Sequence, residues 1–208
     1  MSNMLEAAVT IKGVRPLFLH QFSEDSIPLE KGERTGVAGN DPDEWRKSVC
    51  ADKKGQLYIR GDYVFSCLAG KDGGARYTRN KRASLLSPTR ATLQVSEDRI
   101  FFGRSMPGAN GSYDVATAPV PDRDPDLPVY MDVRSVINPA TKGRNVRYRI
   151  AMSPGWECTF HIQWDKTLVS RDQMKAILID AGRMCGIGSA RAIGMGRFEV
   201  SEFTVSDS

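Results

Sequence analysis

The sequence predicts an α+β chain whose core runs strand, helix, strand, strand, helix, strand, and three observations predict it. Apolar and polar residues alternate with period two over 5–11 and again over 146–152 and 158–164. A capped, amphipathic helix of period 3.6 occupies 170–185. Between that helix and a last strand lies Gly186-Ile-Gly-Ser-Ala-Arg-Ala-Ile-Gly-Met-Gly-Arg, a doubled Gly-apolar-Gly that lets one backbone approach another closely.

Taken in order, Leu5, Ala7, Val9 and Ile11 mark a first strand, and Pro16 makes residues 14–20 a kinked or edge continuation of it. Residues 23–55 are rich in Gly, Pro and charge and read as a long excursion, with a short helix around 43–49. After an extended stretch at 56–59, Gly61 and Asp62 supply a turn and an N-cap for a helix that turns Val64, Phe65 and Leu68 inward. Segment 70–88 reads as a loop or helix extension. Segments 91–95 and 99–102 read as strands joined by a turn, and 106–128 as a loop or flexible hairpin. Val146, Tyr148, Ile150 and Met152, then Cys158, Phe160, Ile162 and Trp164, predict two antiparallel strands around the Ser153-Pro-Gly turn. Ser170 and Gln173 form a capping box, and Met174, Ile177, Leu178, Ala181, Met184 and Cys185 make one apolar stripe. In the last strand, Phe198 and Val200 are out of phase with Phe203 and Val205, which predicts a bulge. This is the ferredoxin-like (RRM-type) βαββαβ order, in a single domain spanning 1–208 with insertions at about 23–55 and 104–130.

At 40% hydrophobic and 26% charged, the 208 residues are globular in composition and able to bury a core. The net charge of +4 is less informative than its distribution. No Asp or Glu occurs over 73–96, where Arg76, Arg79, Lys81, Arg82 and Arg90 fall, nor over 133–156, where Arg134, Lys142, Arg144, Arg147 and Arg149 fall. Such segregation is the mark of a polyanion surface. Cys50, Cys67, Cys158 and Cys185 lack metal-ligand spacing, and the last three read as core thiols suited to a reducing compartment. The expected location is cytoplasmic, with no signal peptide and no membrane-spanning run.

The C-terminal glycine block, with its preceding strand and capped helix, resembles the glycine-rich signature of the CRISPR-associated RAMP superfamily. Tyr58-Ile-Arg-Gly-Asp-Tyr-Val-Phe-Ser-Cys-Leu is similar to the entry into the first helix of its guide-RNA backbone-subunit branch, with Asp62 and Tyr63 where a Ser-Lys pair is usual. Val133-Arg-Ser-Val-Ile-Asn-Pro-Ala-Thr-Lys, followed by Met152-Ser-Pro-Gly-Trp-Glu-Cys-Thr-Phe, is similar to the segment before its third strand. The resemblance implies a non-catalytic subunit that binds single-stranded guide RNA without sequence preference, beside copies of itself and other CRISPR effector subunits. From the residue spacings, no metal or other cofactor is expected.

The residues expected to hold RNA are Arg76, Arg79, Lys81, Arg82, Arg134, Lys142, Arg144, Arg147, Arg149, Gly186, Gly188, Arg191, Gly194, Gly196 and Arg197. Backbone N–H groups of the glycine loop are expected to face a phosphate, with Arg191 and Arg197 supplying charge. Arg147 and Arg149, with His161 and Gln163, are expected on an open sheet face, the way ferredoxin-like modules hold single strands. Tyr77 is a candidate for stacking on a base. The loop at 106–128 is expected to reach a neighbouring protomer or displace a base. The glycines follow a helix and lack Gly-Lys-Ser/Thr, which excludes a Rossmann fingerprint and a nucleotide P-loop. Acidic residues at 24–25 and 122–132 read as solvated loops. Two further readings stay open: an endoribonuclease that processes guide RNA with His20 as its acid or base, and a stand-alone mimic of a backbone subunit encoded by a mobile element.

Overall fold

The computed structural model describes residues 3–21, 41–137 and 142–207. The expectations for 23–40, the acidic pair at 24–25 included, and for 138–141 lie outside the described residues. Along the chain the elements are β1 (Met4–Gly13), β2 (Leu17–Leu19), α1 (Glu44–Ser48), β3 (Gln56–Arg60), α2 (Gly61–Ala69), α3 (Gly74–Tyr77), β4 (Arg79–Asn80) and β5 (Ala83–Ser84). They continue as α4 (Leu86–Thr92), β6 (Gln94–Val95), β7 (Arg99–Ser105), β8 (Val129–Ile137), β9 (Arg144–Met152), β10 (Glu157–Asp165), α5 (Arg171–Asp180) and β11 (Phe198–Asp207). The chain is α+β. Its contacts gather it into two units, one of Met1–Leu17, Tyr58–Gly103 and Pro154–Ser208, the other of Phe18–Leu57 and Arg104–Ser153. The described parts of both stretches read as insertions fall in the second unit.

In the first unit a four-stranded sheet runs β11-β1-β10-β6, with every neighbouring pair antiparallel. Leu5, Ala7, Val9 and Ile11 stand opposite Trp164, Ile162, Phe160 and Cys158, and all eight are buried. The helices α2 and α5 bury Val64, Cys67 and Leu68 and Met174, Ile177 and Leu178. Each of the buried Val, Leu, Ile and Met side chains contributes roughly 1.5–3 kcal/mol of hydrophobic stabilisation. Ser170 and Gln173 close the expected capping box at the start of α5. The phase change in β11 is a bulge, placed where the register with β1 shifts between Thr10 and Ile11.

Past Asp180 the helix widens into a π-turn over Ala181–Cys185, closed by the Gly186 N–H donating to the Ala181 carbonyl at 2.8 Å. The extra residue in that turn rotates Met184 off the apolar stripe, so it is 41% exposed instead of joining the core, while Cys185 stays buried.

In the second unit β8 and β9 form an antiparallel hairpin with Val129 opposite Met152 and Ile137 opposite Arg144, and β2 lies on the other side of β9. Helix α1 packs on β9, its Trp45 fully buried and its Glu44 carboxylate accepting from the Arg147 guanidinium and from the Tyr148 N–H.

Several pairings differ from the sequence reading. β9 and β10 do not pair with each other; β9 joins β8 and β2, and β10 joins β1 and β6. Alternation fixes which face is buried but not the partner strand, and the Ser153-Pro-Gly turn here links two sheets. Likewise β6 pairs with β10 and β7 with β3, while Ala91 belongs to α4. The N-cap position of α2 is Arg60, not Asp62; Asp62 sits in the first turn, ion-paired to Arg60 at 2.8 Å. Segment 70–88 is a short helix, a two-residue hairpin and the start of α4. Asp132 is no loop residue: it is 8% exposed on β8 and pairs with Arg134 at 2.8 Å. Among the described residues no helix is long and apolar enough to cross a membrane.

Candidate nucleic-acid interface

The glycine loop belongs to the first unit and folds back on itself. The Ile187 N–H donates to the Gly196 carbonyl at 2.9 Å, and the Gly196 N–H donates to the Pro16 carbonyl at 2.8 Å. This approach leaves no room for side chains at the two crossing points. A Cβ on Gly196 would lie 1.8 Å from the Ile187 oxygen, and one on Gly186 would lie 2.6 Å from the Met195 oxygen, both at left-handed φ. Gly188 and Gly194 also adopt left-handed φ, 79° and 83°. A 3₁₀ turn over Arg191–Ile193 forms the outer bend.

The N–H groups of Gly186, Gly194 and Gly196 are therefore bonded to the carbonyls of Ala181, Arg191 and Pro16. This corrects the expectation of a backbone cradle at those three glycines: tight folding uses the donors that a phosphate would need. What the loop offers an anion is its side-chain charge. Arg191 and Arg197 make no salt bridge and no side-chain hydrogen bond among the described residues, and one Arg197 terminal nitrogen is buried without an acceptor. Both guanidinium groups lie close enough to Cys67 to oppose the rise of its thiol pKa, which burial and then Cys185 push up to about 12. The Cys67 thiol donates to the Gly186 carbonyl at 3.1 Å, tying α2 to the loop.

The first basic segment also lies in this unit. Arg76 pairs with Asp72 at 2.5 Å, Arg79 donates to the Arg82 carbonyl at 3.2 Å, and Lys81 takes a left-handed φ of 57° in the β4–β5 turn. Arg76, Arg79, Lys81 and Arg82 are all exposed, as is Tyr77. Gly74 at the start of α3 lies against the Ile177 carbonyl and Ala181, so this segment packs on the end of α5 from which the glycine loop departs.

The second basic segment lies in the other unit and takes a different form. Arg134 stands opposite Arg147 and Asp132 opposite Arg149 across the hairpin. Arg134 pairs with Asp132 and lies 4.9 Å over the Phe18 ring; Arg147 pairs with Glu44 of α1. Arg149 is half-buried with an unpartnered Nε, and burial, then Arg147, hold its guanidinium below the usual range. Arg147 and Arg149 thus face a helix and an ion cluster, not an open sheet. Lys142 and Arg144, at the tip of the hairpin, are exposed. The sheet that carries His161 and Gln163 presents Glu6, Ala8, Thr10 and Lys12 of β1, Thr159 of β10 and Glu202 and Thr204 of β11 on the same side, with no arginine or aromatic among them. His161 there is held by Glu97 at 2.5 Å. The loop at 106–128 is pinned by Arg46, which donates to the carbonyls of Val115 at 2.5 Å and Ala118 at 2.9 Å.

His20 sits in the second unit's ion cluster. Burial, then Arg149, hold its pKa below 6.5, with Arg147 adding to the effect and Glu44 opposing it. Because the folded state disfavours the imidazolium, His20 contributes stability above pH 6.5 that declines as pH falls through the lowered pKa. Urea unfolding between about pH 7.5 and 5 is expected to show this loss in wild type and less of it in His20→Asn. An identical pH dependence in the two proteins would remove the assignment.

Sequence reasoning missed Arg15 and Arg183, which flank the loop with Arg197. Each is an isolated arginine outside the acid-free stretches, so only the fold brings them together. No family model and no curated protein matches the chain. Among solved structures, the fold is similar to a chain in a cryo-EM structure of the Type III-B Cmr-beta bound to cognate target RNA, at 12% identity and a TM-score of 0.45. The match covers 97% of this chain and 60% of that one, so the chain spans less than two thirds of its neighbour's length.

Proposed function

We propose that this chain binds single-stranded RNA through the phosphate backbone, without sequence preference and without catalysis. In this reading it is a RAMP-like backbone subunit that lies beside copies of itself along a guide RNA. The observation that carries the reading is the pair Arg191 and Arg197, held on a tightly folded loop and ion-paired to no carboxylate among the described residues. An arginine left unpaired on a rigid scaffold keeps its full attraction for a phosphate, whereas one already bound to a carboxylate must first give up that partner. The β11-β1-β10-β6 order, fourth, first, third and second among that sheet's strands, is the arrangement expected of a ferredoxin-like core and supports the same reading.

Fluorescence anisotropy with a labelled single-stranded oligoribonucleotide tests it. Affinity is expected to fall with salt, and Arg191→Gln and Arg197→Gln are each expected to lower the log–log salt slope by about 0.7 across unrelated sequences. Arg76→Gln is expected to change it less, since Asp72 already holds that guanidinium. The RNA is expected to remain intact after prolonged incubation. Absence of binding at about 50 mM salt, or slopes unchanged by both loop variants, would overturn the proposal.

A further inference from the structure

Beside the glycine loop the first unit has a cavity of about 520 Å³, formed where the turn after β1, the π-turn and the start of β11 meet. Three arginines line it: Arg15 from the turn, Arg183 from the π-turn and Arg197 from the strand. Gly182 and Phe198 lie on its wall, and Glu199 is its one acidic residue. The volume falls in the range of small-ligand sites.

What sets this site apart is that three arginines without an ion-pair partner line one cavity. Arg46, Arg60, Arg76, Arg134 and Arg147 all have carboxylate partners. Arg15, Arg183 and Arg197 have none among the described residues, and they make no side-chain hydrogen bond there. One terminal nitrogen of Arg197 is in addition buried without an acceptor, which is unfavourable for a guanidinium N–H.

The backbone holds two of these arginines in place. The N–H groups of Val14 and Arg15 donate to the Arg197 carbonyl at 2.9 and 3.3 Å, and the Trp156 indole donates to the Arg15 carbonyl at 2.8 Å. Arg183 is brought in by the π-turn, which stays close to β11 because Gly182 has no side chain: a Cβ there would lie 2.2 Å from the Phe198 oxygen. Val14, Ile179 and Phe198 add apolar surface to the cationic lining, the mixture that a nucleotide's phosphate and base call for.

We propose that this cavity is a phosphate-binding pocket that takes the phosphate group of a nucleotide on Arg15, Arg183 and Arg197. The inference rests in part on the RNA reading above, under which a phosphodiester backbone lies at the adjoining loop. The phosphate can be an internal diester of a bound strand or a terminal monoester, and the test separates the two.

The full chain, Arg15→Gln, Arg183→Gln and the double variant are compared by anisotropy with a labelled oligouridylate carrying either a 5′-phosphate or a 5′-hydroxyl, with inorganic pyrophosphate as competitor. Arg15 and Arg183 are exposed, and circular dichroism melts are expected to be unchanged in their variants. The double variant is expected to bind RNA about tenfold or more weakly and to lose competition by pyrophosphate. A loss confined to the 5′-phosphorylated strand assigns the pocket to a chain end, and an equal loss with both strands assigns it to an internal phosphate. Wild-type affinity and wild-type pyrophosphate competition in the double variant would overturn the pocket. If Arg191→Gln still weakens RNA binding in that case, the RNA reading survives alone. Pyrophosphate binding that depends on Arg15 and Arg183 in a chain that binds no RNA would leave the pocket standing and remove the RNA reading.

Discussion

Gly196→Ala is expected to destabilise the first unit by more than about 3 kcal/mol, the range reserved for substitutions that break a specific structural device. The added carbon would lie 1.8 Å from the Ile187 carbonyl oxygen, which is backbone and cannot swing aside as a side chain does. Relief means opening the hydrogen bond from Ile187 to Gly196, the one from Gly196 to Pro16, or both. Gly194→Ala is the control. It has a similar left-handed φ of 83° but nothing within 4 Å of the added carbon, so only the backbone strain of about 1–2 kcal/mol applies. Urea unfolding of the two variants gives the comparison, and equal losses would show that the crossing of the loop on itself is not what requires glycine.

Trp156→Ala is expected to cost about 3–5 kcal/mol. The ring is fully buried, meets Phe102 and Phe198 edge-on at centroid distances of 5.7 and 6.5 Å, and lies where a Cβ on Gly13 would come within 2.0 Å. Its indole N–H also holds the Arg15 carbonyl, so the variant is expected to weaken RNA binding along with stability. Trp156→Phe keeps most of the buried area and loses that hydrogen bond, a change of about 1 kcal/mol. Thermal melts of the two variants, read beside their RNA anisotropy, check both parts; a Trp156→Ala protein as stable as wild type would refute the packing role.

What the sequence disclosed were features written within a few residues of each other. The capping box needs only Ser170 and Gln173, the bulge only the phase change between Val200 and Phe203, and β1 only its own alternation. Partnership between distant segments was not legible. Glu44 and Arg147 are 103 positions apart, and nothing local marks that arginine as internally neutralised. β9 and β10 each show clean alternation, but a short turn between two such strands reads the same whether it closes a hairpin or joins separate sheets. The π-turn was hidden because the apolar stripe continues to Met184 on paper. For the site, the glycines were conspicuous but their role was misread: they make the loop close on itself, and the charge around it comes from arginines scattered between 15 and 197.

The bond between Cys67 and the Gly186 carbonyl has a practical consequence. Only the thiolate reacts readily, and here the sulfur is fully buried with a pKa pushed up to about 12, so an alkylating reagent cannot modify it while the loop is seated. Modification has to wait for a local opening that separates α2 from the loop. The chain thus carries a chemical clock at its candidate interface, and the rate at which Cys67 is alkylated measures how often that loop lifts away.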